Sequence, residues 1–197
     1  MKKLGFIHIT KCAGTSIEDM GKQDKQKWGR FDKEYGFHHR LFNKVPKSVR
    51  QSKDWFAVVR NPYDRILSEY YCKYGGINNP TLKNKPNHNK QGFNEYIRNK
   101  INKRSKIGNH YTEQYKYFEG VPETKVQVIK MENLNNGLNK LFKKYNLNIK
   151  IPLKKSNVGK KGRFTVKDFD NETLHLINEV YDKDFKTLKY PKIKVPK

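Results

Sequence analysis

The sequence predicts an α/β fold in which one mostly parallel central sheet is flanked by helices. Short apolar runs typical of buried strands occur at residues 4–9, 55–59 and 125–130. Segments with the apolar spacing of amphipathic helices follow these runs along the chain. A chain of 197 residues is long enough to bury one core of its own. We therefore expect a single domain over residues 1–197.

The helices are predicted from apolar spacing and from capping residues. The first is expected to begin near Ser16, and the second at Pro62, because proline suits the first turn of a helix. Asp170 or Asn171 is the expected cap of the last helix. The remaining helices are predicted at residues 93–101, 111–118, 134–145 and 174–185.

Three segments lack such a pattern. Residues 21–36 are polar and irregular, and residues 191–197 form a short tail. Residues 75–92 are rich in Asn, Lys, Pro and Gly, which predicts a long mobile loop.

The composition limits the classes of protein to consider. Lys and Arg number 43 against 19 Asp and Glu, a formal net charge of +24 that attracts anionic ligands of many kinds. No apolar run approaches the length of a membrane span, and no signal peptide is visible. We expect a soluble, cytoplasmic or otherwise intracellular protein from a microbe or a virus. The two cysteines, Cys12 and Cys72, are expected to be reduced thiols, and no ligand spacing predicts a metal site.

The first motif, T-K-C-A-G-T-S at residues 10–16, lies between a predicted strand and a predicted helix. Gly14 permits a tight turn there, and backbone N–H groups at a helix start favour an anion. Lys11 adds a positive charge, while Thr15 and Ser16 add hydroxyl donors. An ATP or GTP loop places its lysine after the last glycine, whereas Lys11 precedes Gly14. The order of residues therefore argues against a nucleoside triphosphatase.

The second motif places Arg60 directly after a predicted buried strand and Ser68 eight residues later on a predicted helix. Ligands gather at the carboxyl ends of strands in open α/β sheets. A guanidinium and a hydroxyl at that position suit one phosphate group.

Together the two motifs resemble those of the sulfotransferase family that uses 3′-phosphoadenosine 5′-phosphosulfate (PAPS). F-I-H-I-T-K-C-A-G-T-S is similar to its 5′-phosphosulfate loop, and V-V-R-N-P-Y-D-R-I-L-S-E-Y-Y to its 3′-phosphate motif. Thr10 and Cys12 depart from the family pattern, which usually has Pro and then Thr or Ser. Looser similarity to the carbohydrate sulfotransferase branch involves His38-His39 and the segments N-H-Y-T-E-Q, V-Q-V-I-K-M-E-N-L and Y-D-K-D-F-K-T-L-K-Y.

The resemblance implies a P-loop-kinase-like sulfotransferase fold and a set of cofactor-binding residues. PAPS would donate the sulfuryl group without a metal ion, leaving 3′,5′-adenosine bisphosphate (3′,5′-ADP). Arg60 and Ser68 would hold the 3′-phosphate, and Lys11 would stabilise charge at the reacting group. The loop that would hold the 5′-phosphate consists of Lys11, Cys12, Ala13, Gly14, Thr15 and Ser16. Cys12 would also make this loop sensitive to thiol reagents.

The resemblance also implies a general base for the acceptor hydroxyl, most simply a carbohydrate hydroxyl. His39 is our first candidate and His38 the second, because histidine exchanges protons near neutral pH. Glu18 on the first helix is the alternative base. His110 and Gln114, one helical turn apart, are candidates to face the acceptor. The basic segment 154–163 is a candidate to close over the 3′-phosphate or to grip an anionic acceptor.

Other functions remain open at this point. A tyrosyl-protein or small-molecule sulfotransferase would differ only in its acceptor groove. A basic nucleic-acid-binding protein without catalysis would also carry a large positive charge, although no nucleic-acid-binding module is recognisable. A relative that binds the nucleotide without transferring sulfate is a further alternative. Because no nucleic-acid-binding module is recognisable, we expect no specific nucleic acid partner. The sequence does not indicate the oligomeric state.

Overall fold

The computed structural model describes residues 3–34, 39–82, 86–104, 110–119, 126–151 and 164–196. The chain divides into two compact units. We call the first the sheet unit, formed by Met1–Arg60 and Lys116–Asn157, and the second the helical unit, formed by Asn61–Tyr115 and Val158–Lys197. The single domain expected from chain length stays a prediction.

The sheet unit contains a parallel sheet of three strands among the described residues. In space their order is β1 (Lys3–Ile7), β2 (Lys53–Val59) and β3 (Val126–Lys130). Ile7 pairs with Ala57, and Ala57 pairs with Val128. Every residue from 55 to 59 is fully buried, which explains the unbroken apolar run of the central strand. The predicted α/β fold with a parallel sheet flanked by helices is confirmed.

Seven α-helices occur in the described part of the chain. The sheet unit contains α1, α2 and α5, and the helical unit contains the other four. Their bounds are α1 Gly14–Gly21, α2 Lys47–Ser52, α3 Pro62–Tyr70, α4 Lys90–Asn102, α5 Leu134–Lys144, α6 Asn171–Val180 and α7 Asp182–Thr187.

Two helix starts confirm the predicted capping chemistry. Pro62 is the first residue of α3, and the side chain of Asn61 accepts a hydrogen bond from the Tyr63 N–H at 3.1 Å. Asp170 caps α6 by accepting from the Thr173 N–H at 2.8 Å. These short-range contacts depend only on neighbouring residues, so the sequence pattern identifies them.

Two predicted helices differ from the observed structure. Only Gln114–Phe118 is helical in the segment 111–118, and that turn is of the 3-10 type. The Asp184 carboxylate accepts hydrogen bonds from the backbone N–H groups of Gln114 and Tyr115, both at 2.8 Å, so a residue distant in sequence caps the start of this turn. The predicted helix 174–185 is divided at Tyr181, whose backbone (φ −101°, ψ 19°) ends α6 before α7 begins.

The sheet unit is packed around Trp28, which lies in the irregular segment after α1. Its side chain is 1% exposed, and its Nε1 donates to the Leu4 carbonyl at 2.9 Å. The indole lies edge-on to Phe56, with ring centroids 5.1 Å apart, and stacks on Phe142 at 5.9 Å. A large aromatic residue in a polar segment therefore joins the sheet to α5.

The helical unit has its own aromatic core. Phe93 on α4 stacks on Phe164 and Phe169 at centroid distances of 4.5 and 5.4 Å. Ile77, within the segment predicted to be a mobile loop, is only 6% exposed and belongs to this core. Residues 191–196 form neither helix nor strand, but the Ile193 N–H donates to the Tyr63 hydroxyl at 2.9 Å.

Candidate functional site

The connection from β1 to α1, residues 8–13, has the backbone of an anion-binding turn. Lys11 and Ala13 both have left-handed backbone conformations, with φ 60° at each. Such residues reverse the chain sharply and are typical of turns whose N–H groups converge on an anion. We call residues 8–13 the anion loop.

The start of α1 is suited to a bound negative charge. Ala13 is the N-cap residue, no side chain caps the helix, and its first turn contains no acidic residue. Thr15 is exposed and Ser16 is half-buried on this turn. Backbone N–H groups at an uncapped helix start favour an anionic partner. The residues present therefore fit a phosphate group.

Gly14, the first residue of α1, packs against the ring of His8. A Cβ atom at position 14 would lie 2.0 Å from His8 Nε2, so no other residue fits without moving that ring. The sequence predicts a glycine here because the turn is tight. The structure adds a second reason, which is that the His8 side chain leaves no room for a Cβ atom.

The two departures from the family motif point their side chains into the protein. Thr10 and Cys12 are each 1% exposed. Both cysteines lie in the described residues, and neither forms a disulfide. Burial opposes the expected sensitivity of Cys12 to thiol reagents, because a reagent must first reach the thiol.

Arg60 lies at the edge of the sheet where the anion loop lies. It directly follows β2, and β1 and β2 are parallel neighbours, so their carboxyl ends meet there. Arg60 Nη1 donates a long hydrogen bond of 3.5 Å to the Lys11 carbonyl. The structure thus brings together Lys11 and Arg60, predicted from separate motifs. Ser68 lies half-buried on α3, in the helical unit.

His39 lies beside the end of β1. Its ring centroid is 4.4 Å from that of His8, and the two rings are nearly perpendicular at 81°. His39 is half-buried and has φ 70°. His38, the second candidate base, lies outside the described residues.

Sequence reasoning did not identify a buried pair formed by His8, the first residue of the anion loop, and Glu18 on α1. His8 Nδ1 lies 2.6 Å from Glu18 Oε1, and the two residues are 4% and 0% exposed. Glu18, the alternative base, is therefore enclosed within the sheet unit. Two features of the sequence could have indicated this pair. A polar residue directly follows a buried strand, and a carboxylate lies on the apolar face of α1.

The candidates for facing the acceptor are not brought together on one helix. His110 Nδ1 lies 3.1 Å from Glu69 Oε2, and Glu69 is buried. Gln114 is fully buried, and its N–H is bonded to Asp184. Burial raises the pKa of the Asp184 carboxyl, although Arg65 and the bonded N–H groups oppose that shift. The basic segment 154–163 lies outside the described residues.

The helical unit also contains an open cavity of about 380 Å³. Its lining includes three aromatic rings and two polar side chains, those of Asn78 and His88. The lining residues are Tyr70, Tyr71, Ile77, Asn78, Pro80, His88 and Phe164.

The described residues contain neither a cluster suited to a metal ion nor a helix suited to a membrane. No group of three or more His, Cys, Asp or Glu side chains is arranged to hold a metal ion in this part of the chain. None of the described helices is long and apolar enough to cross a membrane.

Comparisons with known proteins agree with the site geometry. No curated protein and no solved structure matched the chain. The family model described as "Sulfotransferase family" matches residues 1–191, nearly the whole sequence. With the anion loop and Arg60 at one edge of a parallel sheet, the match identifies the chain as a member of the sulfotransferase family, whose enzymes transfer sulfuryl groups.

Proposed function

We propose that this enzyme takes its sulfuryl group from PAPS and transfers it to a carbohydrate hydroxyl, with His39 as general base. The observation that carries the proposal is the pairing of the uncapped start of α1 with Arg60, which donates to the Lys11 carbonyl at 3.5 Å. When bound, PAPS supplies a sulfuryl group on a nucleotide that carries two separate phosphates. Two positive side chains at one edge of the sheet suit such a ligand.

The anion loop and the first turn of α1 are proposed to hold the 5′-phosphate. Backbone N–H groups of residues 13–16 and the hydroxyls of Thr15 and Ser16 would donate to its oxygens, with Cys12 contributing backbone only. Lys11 would stabilise the negative charge that develops on the departing phosphate. This arrangement is supported by the left-handed conformations of Lys11 and Ala13 and by the absence of acidic residues from the first turn of α1.

Arg60 and Ser68 are proposed to hold the 3′-phosphate. The assignment of Ser68 rests on the sequence motif. The assignment of Arg60 is also supported by its place directly after β2, beside the anion loop. A planar guanidinium can donate two parallel hydrogen bonds to a phosphate, which a lysine cannot do.

His39 is proposed to take the proton from the acceptor hydroxyl as the oxygen attacks sulfur. Histidine side chains are suited to proton exchange near neutral pH, and the His39 ring lies next to His8 of the anion loop. His38 remains the second candidate for this role.

Calorimetry with 3′,5′-ADP and 5′-AMP tests the proposed donor. We expect the 3′-phosphate to raise affinity by roughly tenfold or more, since one hydrogen bond to a charged group contributes about 1.5–3 kcal/mol. Arg60→Ala should abolish that preference, and Arg60→Lys should restore only part of it. Lys140→Ala, a loss of charge on the exposed side of α5, is the matched control. Equal affinity for the two nucleotides in the wild-type protein would refute the donor.

Labelled PAPS offered with a panel of oligosaccharides, tyrosine peptides and phenols tests the acceptor. Label on an oligosaccharide supports the carbohydrate class. Label confined to tyrosine peptides or phenols would overturn that class while leaving sulfuryl transfer intact.

The base is tested with His39→Asn, because asparagine tolerates φ 70° better than alanine does. We expect 3′,5′-ADP affinity to stay within about threefold and the transfer rate to fall roughly 100-fold or more. His175→Asn, a change at an exposed histidine on α6, should leave the rate unchanged. A His39→Asn protein that retains its rate would move the role to His38.

A further inference from the structure

His8, the first residue of the anion loop, and Glu18 on α1 form a buried pair. Neither side chain has a role in the mechanism proposed above. The two side chains are almost completely enclosed and lie 2.6 Å apart. A buried carboxylate is unfavourable unless it is paired and hydrogen-bonded. An apolar pair of similar size would pack this space at no such cost, so the polar pair calls for an explanation beyond packing.

His8 contacts three parts of the site at once. It directly follows β1, its Nε2 side faces Gly14 at the start of α1, and its Nδ1 faces Glu18 one turn further along that helix. The His8 ring also contacts the His39 ring edge-on, with the two ring centroids 4.4 Å apart. One imidazole therefore connects the two ends of the anion loop and the proposed base.

Glu18 is also held by two residues that follow α1 along the chain, Gly29 and Arg30. The Arg30 N–H donates to Glu18 Oε1 at 2.9 Å, and Arg30 Nε lies 3.3 Å from Oε2. Gly29 has φ 54°, and a Cβ atom there would lie 1.9 Å from Glu18 Oε1. The carboxylate is thus fixed by two neighbouring residues and can fix the plane of the His8 ring in turn.

We propose that His8, oriented by Glu18, is a positioning residue that sets the His39 imidazole in place relative to the anion loop. This inference rests on the proposed function in one respect, the assignment of His39 as the base. A displacement of about 1 Å at a reacting group can cost roughly 100-fold in rate. Loss of this support should therefore lower the rate of transfer much more than it lowers nucleotide binding.

Two variants and one control separate positioning from folding. Glu18→Gln keeps the size of the side chain and one acceptor oxygen but removes the charge. His8→Asn keeps a polar partner for Glu18 and removes the ring that contacts His39. Glu179→Gln, the control, removes a carboxylate at an exposed position of α6.

Each protein is measured for kcat and KM with PAPS, for melting temperature, and for the rate at which diethyl pyrocarbonate modifies His39. Peptide mass spectrometry resolves His39 from exposed His175, which serves as the internal reference. In Glu18→Gln and His8→Asn we expect kcat to fall about tenfold or more, with KM and melting temperature little changed. We expect the modification rate of His39 to change by at least about threefold, while that of His175 and all values for Glu179→Gln stay constant.

The positioning role is overturned if Glu18→Gln leaves both kcat and His39 modification at wild-type values. It is also overturned if kcat falls only together with melting temperature and nucleotide affinity, since that pattern reports a loss of fold. If the His8→Asn protein does not fold, kcat and His39 modification in Glu18→Gln alone test the positioning role. If the wild-type protein transfers no sulfate, the proposed function fails separately, and the modification of His39 still decides whether this pair positions it.

Discussion

At the scale of single residues, the candidate site combines side chains that a sequence motif identifies with side chains that no motif identifies. Lys11 and Arg60 belong to recognisable motifs, and the structure joins them by one long hydrogen bond. Glu18 and His8 are ten positions apart, and although each is a polar residue in an apolar setting, the sequence does not show that they are partners. Charge and motif order predict the first two residues, whereas only folding brings the second two together.

Gly14→Ala tests how closely the anion loop is packed. The added Cβ would lie 2.0 Å from His8 Nε2, so the ring must move. We expect the free energy of unfolding to fall by about 1–3 kcal/mol, the usual cost of overpacking, and affinity for 3′,5′-ADP to fall at least about tenfold. Urea denaturation and calorimetry measure the two quantities.

Gly75→Ala is the matched control for that change, because its Cβ would meet nothing closer than His110 Nδ1 at 4.0 Å. The tight-packing account would be wrong if both alanine variants behaved like the wild-type protein.

At the scale of elements, strands and strongly amphipathic helices follow from the sequence, and elements fixed by distant contacts do not. The central strand is a continuous apolar run, which is typical of a strand buried on both faces. The sequence therefore predicts it within two residues of its observed start. The short helix α2 has no buried residue, so it carries no apolar pattern to find. The turn at Gln114–Phe118 is set by Asp184, a carboxylate some seventy residues away along the chain.

Asp170 provides a test of an element's end. Asp170→Ala should lower the free energy of unfolding by about 1–2 kcal/mol, because α6 loses its cap. Asp170→Asn should cost less at neutral pH, since an amide oxygen still caps but no longer pairs with Arg98 Nη1 at 2.8 Å. Urea denaturation measures each variant, and Glu179→Gln at an exposed position of α6 is the control.

The same residue predicts a pH dependence with a definite sign. Burial works to raise the pKa of Asp170, but hydrogen bonds from Arg98 and Thr173 outweigh it and hold that pKa below the usual value. The stabilisation from the charge is therefore present above the unfolded-state pKa, near 3.9, and is lost as the pH falls through the lower folded-state pKa. The difference between wild type and Asp170→Asn should shrink in strong acid. A constant difference at all pH values would show that the charge contributes nothing.

At the scale of the whole molecule, the net charge of +24 is the dominant property. Such a field attracts anionic nucleotides and acidic glycans, and it equally attracts nucleic acid. The charge indicates what kind of ligand is attracted, whereas under the proposed function the anion loop and Arg60 select which anion is bound.

Salt dependence separates these contributions. Between about 20 mM and about 300 mM NaCl we expect the association rate of 3′,5′-ADP to fall by roughly tenfold, because salt screens long-range attraction. The dissociation rate should change little, since it reflects contacts at short range. Stopped-flow mixing measures both rates. Duplex DNA that displaced 3′,5′-ADP at the higher salt concentration would favour the nucleic-acid-binding alternative instead.

The burial of Cys12 has a consequence in time. A thiol that is 1% exposed inside the anion loop can react only during the intervals in which the loop opens. The rate at which Cys12 is chemically modified therefore reports how often the loop opens. A bound nucleotide that held the loop closed would lower that rate. Cys12 is therefore a natural reporter of how often the anion loop opens in this protein.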